Sequence, residues 1–264
     1  MGLNEWVMRE GVLARAAGRV LVIDGTVWFE RPLPRASALI HPRPTPRPGR
    51  HALRAHGVDV DRLDRREEYP GGVIEGWTTL TATWHHGELH AQAQDPMPAA
   101  DVEPNRWISP PCPPPAAGWP VVPIVGSMTA ANLPAFPPRR EQWADLTITQ
   151  ITLFHPEPTQ PVLVVAAEDP ERAERALRPT FGAALCVVAS RYRRRDIDAV
   201  QDRLQQELSA RRWRMTSTGR SASDAGQPTV TAQFAWIESE VAQWAATVPD
   251  GLLDADAWLT PTTP

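Results

Sequence analysis

The chain contains no lysine. All 27 of its basic residues are arginine. This excludes mechanisms that need an ammonium side chain: a P-loop lysine on phosphate, a Schiff-base lysine, or a kinase-type strand lysine. Cysteine is almost as scarce. Cys112 and Cys186 are too few for a disulfide framework or a cysteine zinc site. A single bridge between them stays open, and nothing in the sequence requires it. No apolar run approaches the ~18 residues of a spanning helix. Arg9, Arg15 and Arg19 interrupt the first segment, so it has no signal-peptide core. Cytoplasm is the expected location, with no membrane partner. A basic excess is also missing. The net charge is −4, which argues against nucleic acid as a partner.

Proline and tryptophan are plentiful, at 29 and 11 residues. With 42% hydrophobic residues, the chain can bury an ordinary core. Glu5 to Ala17 reads as a short helix ended by Gly18. Val20–Ile23 and Thr26–Phe29 flank Asp24-Gly25, a hairpin signal. Prolines 32 to 48 then enforce extended loop, and His51 to Arg66 reads as a helical turn or two. From Val73 to Gln94, apolar and polar residues alternate on both sides of His86-Gly87, predicting a second hairpin. Residues 95–140 are proline-rich and read as a connector that packs through Trp107 and Trp119.

Beyond Leu146 the pattern changes. Strands are expected over 147–154, 161–167, 184–190, 213–218 and 229–237. Asp169-Pro170-Glu171 starts a helix. Ile197, Val200, Leu204 and Leu208 mark an amphipathic one over 194–211, and Glu238 to Thr247 forms a third. The expected fold is α+β: a small antiparallel sheet or barrel-like domain over 1–95, a connector over 96–145, and a mixed-sheet α/β sandwich over 146–264.

Several segments carry a family resemblance. They are Val22-Ile23-Asp24-Gly25-Thr26-Val27, Gly76-Trp77 with the threonine-rich hairpin, Pro110-Pro111-Cys112-Pro113-Pro114-Pro115 with Gly118-Trp119, and Leu185-Cys186-Val187 with Gln201-Asp202-Arg203-Leu204. Together they resemble a group of actinobacterial proteins without an assigned activity. The Arg/Pro stretch from His41 to Arg50 departs from that pattern. The resemblance implies the three-part architecture and supplies no catalytic residues.

Candidate sites are sparse. His86, Glu88 and His90, spaced two apart on one strand face, offer two imidazoles and a carboxylate to a metal, and His85 adds a further donor. The alternative is a solvated hairpin face. Arg191, Arg193, Arg194 and Arg195 precede a helix and suit an anion at its N-terminus; the alternative is a solvated charge run. Cys186 reads as a small buried hydrophobe, and Cys112 has no evident base. Ser190, His155 and Ser127 lack the surroundings of a nucleophile elbow. Trp28, Trp77 and Trp84 fill a core or form a stacking face. No cofactor and no catalytic residue are expected. The leading expectation is a non-enzymatic module with a protein partner, followed by a metal-dependent enzyme and an anion or nucleic-acid binder.

Overall fold

The computed structural model of the chain describes residues 3–32, 45–98, 108–121 and 145–262. The fold is mixed α+β, with 13 strands and 3 α-helices among the described residues. The N-terminal sheet uses β1 (Leu13–Ile23), β2 (Thr26–Glu30), β3 (Leu53–His56), β4 (Asp64–Tyr69), β5 (Val73–His85) and β6 (Glu88–Asp95). Five of these close on themselves in the order β1-β2-β3-β6-β5-β1. β3 and β6 run parallel and the other neighbours antiparallel. The result is a small five-stranded barrel of Greek-key type, a plan that hosts many functions and by itself assigns none.

β1 replaces the helix expected over Glu5–Ala17. A short 3-10 turn spans Leu3–Trp6, and the strand begins at Leu13. The reason is a period of two carried by small residues: Ala14, Ala16 and Val20 are buried while Leu13 and Arg15 are exposed. Alanine favours helices in isolation, but the burial of alternate side chains inside a barrel outweighs that preference. Gly18, expected to stop a helix, lies within the strand. A Cβ there would come within 2.5 Å of the Phe29 ring and 2.8 Å of the Glu30 carbonyl oxygen. Gly18→Ala should therefore destabilise the fold by about 2–3 kcal/mol through overpacking. Urea unfolding measures this, and an unchanged midpoint would contradict the packing.

Both expected hairpins form. Asp24 and Gly25 have φ of 50° and 74°, and His86 and Gly87 have 51° and 83°, the double left-handed geometry of a tight two-residue turn. His51 to Arg66 holds no α-helix. It supplies β3, a 3-10 turn over Val60–Arg62, and the start of β4.

The C-terminal part contains two units with the same plan. β7 (Ile148–Phe154), β8 (Val162–Ala167), α1 (Pro170–Phe181) and β9 (Leu185–Ala189) form the first. β10 (Met215–Ala222), β11 (Pro228–Phe234), α3 (Ser239–Ala245) and β12 (Leu253–Ala257) form the second. In each, an antiparallel pair is followed by a helix and a parallel third strand. α2 (Arg194–Ser209) links the units and packs on β10 and β11. The two sequences show no repeat, yet the strand orders coincide. α1 starts as expected: the Asp169 carboxylate accepts from the Arg172 amide at 3.0 Å, and Pro170 follows. β12, with its Asp254 and Asp256, was not expected.

Segment 108–121 has no helix or strand. It lies against the β7-β8-β9 sheet on the side away from α1. Ile108, Cys112 and Trp119 pack with Phe154, Val162, Val164 and Cys186. Cys112 and Cys186 form a disulfide, which resolves the question that the sequence left open. Residues 99–107 and 122–144 of the expected connector, including Trp107 and Ser127, lie outside the described residues.

The barrel and the C-terminal part exchange residues. Ala235, Trp236 and Leu259 belong to the barrel core, whereas Val7 belongs to the core under α2 and α3. A last strand, β13 (Thr260–Pro261), pairs with Ala14 and Arg15 of β1.

Candidate functional site

The outer wall of the barrel carries a cluster of imidazoles. β3 places His56 directly opposite His90 of β6. Their rings stack with centroids 4.8 Å apart. Glu88 lies two residues before His90, on the same strand face. Its Oε2 is 2.8 Å from His56 Nε2, and its Oε1 lies 3.7 Å from the Arg54 guanidinium. The His56 hydrogen bond holds the Glu88 carboxyl below its ordinary pKa. One ligand atom from each of His56, Glu88 and His90 falls within 4.8 Å of the others. His85 meets His90 edge-on at 5.3 Å and is itself 2.7 Å from the Glu10 carboxylate. The His86 amide and then the His85 ring hold Glu10 below its usual pKa.

Sequence spacing therefore found two of the three residues. His86 is not with Glu88 and His90: it occupies the first position of the tight turn, its side chain is 92% exposed, and it points toward Glu10 at 3.9 Å. A left-handed backbone in the turn breaks the alternation that would have aligned it with them. His56 takes its place. No local window reveals this, because β3 and β6 become neighbours only when the barrel closes.

The arginine cluster lies where a strand passes into α2, but carboxylates and amides already serve it. The Arg194 amide donates to Glu168 at 2.7 Å, which occupies the helix start where an anion would bind. The Arg194 and Arg195 guanidinium groups face Asp198 and Asp196, and the Arg191 amide donates to Gln227. Arg193 is the N-cap residue and makes no capping side-chain bond. Ser190 Oγ donates to the Tyr192 carbonyl at 2.7 Å, a local turn contact.

Of the three tryptophans, Trp84 points inward and packs on Trp236 with centroids 5.3 Å apart. Trp28 lies partly exposed beneath Arg54, whose guanidinium carbon is 5.7 Å from the ring centre. Trp77 is half-buried on the β5 wall.

A second feature is an open cleft of about 740 Å³ along the β9 edge of the sheet, lined from both segment 108–121 and α1. Pro113, Pro115, Trp119, Leu185 and Val187 line it, with charged groups from Glu171, Glu174 and Arg178. Cys112, one half of the disulfide, is among the lining residues.

Two histidines away from these sites have lowered pKa values. Burial depresses His51, with further repulsion from Arg50 and Arg214, and burial alone depresses His155. Between the lowered value and about 6.5, the unfolded chain binds protons that the folded one does not. Stability should therefore be complete above that range and fall as the pH drops through it. Urea midpoints at pH 7.5 and 5.5 measure the effect. His51→Gln should flatten the dependence; an unaltered slope in both His51→Gln and His155→Gln would refute it.

No known family model, curated protein or solved structure matches the chain. Its functional reading follows from geometry alone. No helix among the described residues is long and apolar enough to cross a membrane.

Proposed function

We propose that the protein is a non-enzymatic binding module that acts through contact with another protein, using the cleft beside segment 108–121. The observation that carries this reading is the cleft's construction. Its lining of proline, Trp119 and Val187, with buried Leu185 beneath, opens to solvent and is flanked by charges, the composition of a small recognition pocket. The disulfide and the proline backbone fix the segment in advance. A partner then loses little further conformational freedom on this side when it binds. The Cys112–Cys186 link also favours an oxidising compartment over the expected cytoplasm.

The test is affinity capture with purified protein, comparing wild type, Trp119→Ala and Val187→Asp. A partner retained by wild type and lost by both variants supports the reading. Capture that is indifferent to both substitutions, or no enrichment over a scrambled control, rejects it.

A further inference from the structure

We propose that His56, Glu88 and His90 form a binding site for one divalent transition-metal ion, with zinc as the reference ion. The site lies on the barrel wall and does not depend on the protein-contact reading of the cleft.

The donor set comes first. Two imidazole nitrogens and one carboxylate oxygen suit zinc and its first-row neighbours, whereas calcium and magnesium prefer all-oxygen shells. Positioning comes second. His90 and Glu88 share one face of β6, and the parallel pairing with β3 sets His56 beside them. Three donors on two adjacent strands are held by the barrel rather than by a loop.

Distance comes third. Metal–ligand bonds of about 2.0–2.2 Å around a tetrahedral ion put the donors roughly 3.4 Å from each other. The three donor atoms already lie within 4.8 Å. Closing the widest gap needs side-chain rotations that move the donors by roughly 1–1.5 Å, within the freedom of partly exposed side chains on a strand. Binding needs the His56 tautomer with its hydrogen on Nδ1, so that the Nε2 lone pair and Glu88 Oε2, now 2.8 Å apart, both turn to the ion.

The cluster is poorly explained as a set of ion pairs. Three imidazole rings, those of His56, His90 and His85, pack on one another with centroids 4.8 and 5.3 Å apart. Charged, these rings would repel one another. Neutral, each presents a lone pair; the Glu88 carboxylate lies against His56, and the Glu10 carboxylate lies against His85, outside the proposed ligand set. A single cation satisfies two imidazoles and the carboxylate together. Arg54, 3.7 Å from Glu88 Oε1, is the charge that opposes it. Its removal should tighten binding.

The experiment is zinc titration of metal-free, full-length protein by calorimetry, repeated with cobalt to read coordination from visible absorption. Wild type should take up one ion per chain. His56→Ala, Glu88→Ala and His90→Ala should each weaken binding by at least about tenfold, since even outer-shell substitutions often cost that much. Arg54→Met should bind more tightly. His86→Ala should bind as wild type does. Because all five positions are at least partly exposed, circular dichroism should show every variant folded. The proposal fails if wild type shows no stoichiometric uptake. It also fails if His86→Ala loses as much affinity as His56→Ala.

Discussion

Arg19→Met should destabilise the protein by about 3–5 kcal/mol, the usual result of removing one partner from a buried ion cluster. Arg19 lies between two carboxylates. Its guanidinium donates to Glu30 through Nε at 2.6 Å and through Nη2, and to Glu75 at 3.0 Å through Nη1. The Arg19 side chain is 14% exposed, and those of Glu30 and Glu75 are 6% and 8%. The Gly49 amide also donates to Glu30, and the Tyr69 hydroxyl to Glu75. Burial, reinforced by Glu75 and Glu67, pushes that tyrosine well above its ordinary pKa. Without Arg19, two carboxylates remain out of water with only neutral donors. Arg19→Lys should recover part of the loss, because a single ammonium cannot reproduce a fork that spans two acids. Replacing all three charges, with Glu30→Gln and Glu75→Gln added to Arg19→Met, should recover more. Chemical denaturation of the series decides it. A single variant within about 0.5 kcal/mol of wild type would show that the cluster behaves as an ordinary surface group.

Breaking the Cys112–Cys186 link should lower stability by about 4 kcal/mol, as loop-closure entropy gives for a span of 74 residues. The comparison is Cys112→Ala/Cys186→Ala against wild type, and oxidised against reduced wild type. Both should lower the denaturation midpoint together. The loss should also be local: segment 108–121 should gain amide exchange before the barrel does, because it has no ladder of its own to retain it. Equal midpoints in all samples would mean that the hydrophobic contacts of Ile108 and Trp119 alone hold the segment.

Much of this architecture is legible in the chain, for physical reasons that can be named. Hairpins announced by Asp24-Gly25 and His86-Gly87 are local, and so are the Asp169 cap and the apolar run of β8. What escaped depends on distant neighbours. Ala14, Ala16 and Gly18 look like helix and stop until β5 and Phe29 are known to lie beside them. Leu253 to Ala257 alternates correctly, but its aspartates lower any strand expectation until β11 supplies the pairing. Glu207 counts as a polar helix position by spacing. It is fully buried, salt-bridged by Arg203 and Arg212. The histidine cluster divides the same way. Glu88 and His90 follow from strand spacing, His86 is lost to the turn, and His56 enters from a four-residue strand with no signal of its own.

The return of residues 235–261 to the first strand has a consequence for biosynthesis. β1 leaves the ribosome well before Trp236 and Leu259, which fill the barrel, and Thr260, which pairs with Arg15. Vectorial folding of the N-terminal part should therefore pause at an unfilled intermediate with an apolar interior open to water. Nascent chains arrested near residue 200 should recruit a holdase or resist compaction, and the final step of maturation should be slow, as expected where contacts join such distant positions.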